Sequence, residues 1–100
     1  MSVHIKEKFT IYQPTILKRK YTNVLHWSID MNFIELQHNT ITGVRTIYIN
    51  DLLYVSSGFR LIDKGSVHNI DIDNNTYSIC ILLDKFDFKY EIRRKINLEI

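Results

Sequence analysis

At 100 residues, 45% of them apolar and 24% charged, the chain is long enough for one domain with its own core and too short for two ordinary ones. The balance lies outside the disordered regime, and no apolar run approaches the roughly 20 residues needed to cross a bilayer. The N-terminus lacks the apolar core and cleavage site of a signal peptide, so the expectation is a cytoplasmic protein. The net charge of +2 hides an asymmetry, because Met1 to Asn23 holds Lys6, Lys8, Lys18, Arg19 and Lys20 against Glu7 alone, while the rest is slightly acidic.

Isoleucine is abundant, alanine is absent, and Tyr, Phe, Val and Thr fill much of the remainder, a composition that favours pleated structure over helix. In chain order, Phe9 and Ile11 mark a first strand that ends at Pro14, which has no ladder donor. Lys18-Arg19-Lys20 reads as an exposed connection, and residues 1–22 as a basic appendage with one strand. From residue 23 to 100 the period-2 pattern is strong. Ile34 and Leu36 alternate with Glu35 and Gln37. Asn39 to Gly43 forms a loop, and Ile47 and Ile49 follow Arg45. Asn50-Asp51 and Ser56-Ser57-Gly58 are turn signals, and Phe59 and Leu61 oppose Arg60 as a further strand. Ile70 and Ile72 precede the Asp73-Asn74-Asn75 turn, and Ile79, Ile81 and Leu83 follow it. Phe86, Phe88, Tyr90 and Ile92 then share one face, and Ile96, Leu98 and Ile100 another, with Arg93-Arg94-Lys95 between them as a turn.

Seven or eight short strands joined by polar turns cannot all bury an apolar face in one flat sheet, so the expected fold is an all-β antiparallel β-sandwich. The last strand, with only Lys95 and Glu99 as charged guards, is either paired on both sides or an association edge, through which a homodimer forms or a second domain docks.

Little in the sequence points to chemistry. Asp71, Asp73 and Asn75 match the first positions of a calcium loop, but Thr76 and Leu82 stand where glycine and a bidentate glutamate belong, so no metal is expected. His4, His26, His38 and His68 lack zinc spacing. Cys80 lies in an apolar strand pattern and reads as a small buried hydrophobe, and a Cys80–His38–Asp nucleophile has no supporting signature. The single glycines Gly43, Gly58 and Gly65 make no phosphate loop. No catalytic residue and no cofactor are assigned.

The run Phe33 to Asn50, with His38, Thr40, Gly43, Arg45, Tyr48 and Asn50 at matching positions, resembles the Fas apoptotic inhibitory molecule family. The likeness covers roughly Val24 to Ile92, through Trp27 and Phe59-Arg60-Leu61. Asn39 and Asp51 replace glycines of the family pattern. The resemblance implies an all-β sandwich and a cytosolic, non-enzymatic regulator of cell death or protein homeostasis that acts through protein contacts.

Two functional expectations follow. The first is a protein-interaction module in which His38, Thr40, Gly43 and Arg45 build a hairpin and Arg45, Arg60 and Lys64 contact a protein partner. The second is nucleic-acid or polyanion binding through Lys18, Arg19 and Lys20.

Overall fold

A computed structural model describes residues 6–98, and the side chains of residues 9–95. The described residues are all-β, with nine strands in two antiparallel sheets, the content that a β-sandwich requires. They divide into two compact units: the chain up to Gln13 together with Gly65 onward, and Pro14–Lys64.

The first unit holds β1 (Lys6–Tyr12), β7 (Gly65–Ile72), β8 (Asn75–Asp84) and β9 (Asp87–Leu98) in the order β1-β9-β8-β7. Its buried row is Ile70, Ile72, Tyr77, Ile79, Ile81, Tyr90 and Ile92; the sequence pattern predicts all of these but Tyr77, while Leu83, expected among them, is exposed near the end of β8. Asp73 and Asn74 both take positive φ in the β7–β8 turn, a two-residue geometry open to Asn and Asp. The two C-terminal strands expected from the sequence are one strand of 12 residues. Arg93 and Arg94 do not turn the chain, because no glycine, proline or asparagine breaks it there and each cation finds a partner along the sheet. Arg93 Nε donates to Glu91 at 2.7 Å, and Arg94 donates to Asn75 Oδ1 at 2.8 Å while lying over the Tyr77 ring. Phe86, expected to join the inward row, sits exposed in the β8–β9 turn.

The second unit holds β2 (Thr15–Arg19), β3 (Thr22–Ile29), β4 (Asn32–Asn39), β5 (Arg45–Ile49) and β6 (Leu52–Ser57) in sequence order. Leu25, Trp27, Ile34, Leu36 and Ile47 form its buried face, in register across β3, β4 and β5. Asn50 and Asp51 turn β5 into β6 with positive φ at both positions.

Two further expectations change. Residues 6–22 are more than an appendage: β1 completes one sheet and β2 the other, and the break expected after Thr22 falls inside the β2–β3 hairpin. Phe59 to Leu61 is a loop with no ladder partner. Of the two alternatives for the last strand, the structure has the internal one: β9 lies between β1 and β8, and Lys95 to Leu98 pairs with Phe9 to Lys6. Glu99, Ile100 and His4 lie outside the described residues.

Candidate interaction surface

The β4–β5 connection begins as a local structure. Asn39 Oδ1 accepts from the backbone N–H groups of Ile41 and Thr42, both at 2.9 Å, so a side-chain acceptor does the turning. Gly43, at φ 73°, closes the turn by donating its N–H to the Asn39 carbonyl at 2.9 Å. Thr40 ties it to the β2–β3 turn through its N–H and its hydroxyl, both on the Tyr21 carbonyl.

This turn grips the loop that follows β6. Arg60 N–H donates to the Thr42 carbonyl at 2.8 Å, and a Cβ on Gly43 would stand 2.8 Å from the Arg60 Cβ. Only glycine satisfies both the backbone angle and this close approach. Three residues on, Asp63 inserts its carboxylate between His38 and Arg45, which are cross-strand neighbours on β4 and β5. His38 Nε2 lies 2.7 Å from Asp63 Oδ2, and Arg45 Nη2 donates to Asp63 Oδ1 at 2.5 Å. The second Arg45 terminal nitrogen donates to the Gly43 carbonyl at 2.7 Å, which joins the ion pair to the turn.

His38 is 0% exposed and Arg45 1%, so this is a buried charge cluster. Burial lowers the His38 pKa from its ordinary value, and the Arg45 and Arg60 charges add to that against the pull of Asp63. A neutral ring facing a carboxylate must carry its proton on Nε2, so His38 acts as a donor. Arg45 Nε is buried without a hydrogen-bond partner, a cost the cluster absorbs. Arg45, expected as a surface contact, is thus an internal clamp. Arg60 is half-buried and Lys64 exposed, both on the clamped loop.

What the clamp holds outward is apolar. Phe59, Leu61 and Ile62 project from the loop, Leu61 at 86% exposure, and Leu52, Leu53, Tyr54 and Val55 are exposed along β6. Seven large apolar side chains within residues 52–62 are therefore left in water on a fastened support. The signal in the sequence is the unbroken run Leu52-Leu53-Tyr54-Val55, which a sheet with one buried face cannot fully hide. Contiguous exposure of this kind marks interaction sites more often than scattered apolar residues do.

The basic residues lie elsewhere in the same unit. Lys18, Arg19 and Lys20 are exposed at the β2 edge, and Arg19 and Lys20 line a shallow depression of about 340 Å³ with Tyr21, Thr22, Gln37 and Asn39. Beside it, His26 and Gln37 both bond the Glu35 carboxylate. Burial opposes Glu35 ionisation, but these bonds outweigh it and hold its carboxyl below the usual value.

Other sequence candidates have structural roles. Asp71 accepts from the Thr76 hydroxyl at 2.6 Å, and Asn75 bonds the Asp73 carbonyl at the turn. No cluster of three or more metal-ligating side chains occurs among the described residues. His68 bonds Ser66 at 2.8 Å. Cys80 is buried on β8, and burial pushes its thiol pKa up, away from the reactive thiolate. Among the described residues no helix is long and apolar enough to cross a membrane. Comparison with protein-family profiles, with curated proteins and with solved structures returns no match, so the reading of this surface rests on its own geometry.

Proposed function

We propose that the chain is a non-enzymatic protein-interaction module whose contact surface is residues 52–62. The observation that carries this reading is the apolar strip itself, displayed on a loop whose underside is fixed by Arg60 N–H and the Asp63 carboxylate. A pre-ordered surface loses less conformational entropy on binding than a free loop would. The resemblance to the Fas apoptotic inhibitory molecule family supports a cytoplasmic role in regulating cell death or protein homeostasis. The buried thiol of Cys80 suits a reducing compartment and does not suit nucleophilic work. The test is site-specific photo-crosslinking from Leu61, with Met31 as the control because it is at least as exposed, on the β3–β4 turn of the same unit. A discrete protein adduct from Leu61 and none from Met31 is expected; equal labelling, or none, sinks the reading.

A second reading rests on Arg19 and Lys20 lining the same depression: a polyanion, nucleic acid included, docks at the β2 edge. Removing residues 1–22 would delete two strands, so charge reversal is the fair test. Lys18→Glu with Arg19→Glu and Lys20→Glu abolishes binding to a heparin column on this reading, and unchanged elution rejects it.

A further inference from the structure

The depression of about 340 Å³ at Arg19 and Lys20 adjoins a second of about 330 Å³ that reaches Thr42, Val44 and Thr46, and the two share Thr22, Gln37 and Asn39 in their walls. Register explains the continuity. Thr22 lies opposite both Arg19 and Asn39, and Gln37 lies opposite both Val24 and Thr46, so these side chains stand on one face across β2, β3, β4 and β5. It is the reverse of the face that buries Leu25, Leu36 and Ile47. The two depressions form one groove from the β2 edge to β5.

The two ends of the groove differ. Arg19 and Lys20 are exposed at the β2 end, where the Lys20 ammonium lies 5.4 Å from the centre of the Tyr21 ring. Beyond them the lining carries hydroxyls and amides and no charge, from Thr22 through Gln37 and Asn39 to Thr46. The fold has already oriented both amides. Asn39 Oδ1 is taken by the N–H groups of Ile41 and Thr42, and Gln37 Nε2 donates to Glu35 Oε2 at 2.9 Å. That leaves the Asn39 Nδ2 donor and the Gln37 Oε1 acceptor on side chains fixed before any ligand arrives.

Donors and acceptors set side by side suit a ligand whose own groups both give and accept hydrogen bonds, which is the property of a sugar hydroxyl. A single-stranded nucleic acid fits worse. It calls for cations along the whole backbone and a succession of aromatic platforms, whereas here the charge is confined to one end and Tyr21 is the one aromatic side chain of the lining among the described residues.

We propose that this groove binds a short acidic saccharide, with its anionic group on Arg19 and Lys20 and its neutral hydroxyls along Gln37, Asn39 and Thr46. The inference rests on reading the β2 edge as an anion site and names the class of ligand.

An array of oligosaccharides ending in a sialic acid, a uronic acid or a sulfated sugar, together with their neutral parents, tests this when probed with the full chain. Calorimetry with the best-retained oligosaccharide then compares the native chain with Arg19→Gln and Thr46→Val, with thermal melts to show that each variant folds. Thr46→Val keeps the side-chain shape and removes only a hydroxyl at the uncharged end. The expected result is retention of acidic members, at least tenfold weaker binding of their neutral parents and of Arg19→Gln, and at least threefold weaker binding of Thr46→Val. An array with no acidic member retained overturns the proposal, as do neutral parents bound equally well or an affinity that Thr46→Val leaves unchanged. If heparin retention still depends on Lys18, Arg19 and Lys20 in any of those cases, the saccharide fails while the anion site stands. Loss of both removes the site.

Discussion

Two neighbouring parts of the Pro14–Lys64 unit invert the usual distribution of side chains. Beneath the loop, His38, Arg45 and Asp63 bury two full charges and an imidazole, whereas on β6 and the loop itself Leu52 to Val55, Phe59, Leu61 and Ile62 stand in water. Burying charge costs several kcal/mol per ion and is only offset by good pairing, and exposing apolar surface forgoes about 25 cal/mol per Å². The polar residues hold the loop in place, and the apolar ones are the surface proposed above for a partner.

The contrast breaks most forcefully at Asp63. Asp63→Asn leaves the Arg45 charge buried without its counter-ion, and a loss of about 3–5 kcal/mol in urea unfolding is expected. A loss under about 1 kcal/mol would mean that the cluster contributes little to holding the loop.

Gly43→Ala should cost roughly 1–3 kcal/mol, combining left-handed backbone strain with contact against Arg60. Hydrogen exchange would sharpen the point, since the Arg60 amide should lose protection more than amides of β3 do.

Acid should act in the same place. The folded pKa of His38 is held below its ordinary 6.5, chiefly by burial, so the unfolded chain takes up the proton more readily. The stability this contributes is complete above 6.5 and is lost as pH falls from there through the folded value. Denaturation midpoints measured from about pH 7.5 to about pH 5 should decline, and less so in His38→Gln. Equal slopes in both proteins would assign the decline to other groups.

On the apolar side the expected effect on stability is smallest. Phe59→Ser or Leu61→Ser should shift unfolding by no more than about 0.5 kcal/mol, because neither side chain is buried, while removing the crosslink formed from the 52–62 surface. A large destabilisation would place these side chains in a core and remove them from the contact surface.

The sequence by itself determined the all-β class, the turns at Asn50-Asp51 and Asp73-Asn74, the inward rows of β4 and β7, and Ile79 and Ile81 of β8, because local turn chemistry and period-2 alternation are properties of neighbouring residues. It also singled out His38, Thr40, Gly43 and Arg45 as one hairpin. Only the tertiary structure decided that Arg45 turns inward, since its counter-ion Asp63 lies 18 residues away and no spacing rule connects them. The same holds for β1 and β2, whose weak patterns become strands when β9 and β3 supply the ladder partners. Phe59 and Leu61 alternate like a strand but become a loop, because Arg60 is drawn to Thr42 and Asp63 to the buried pair.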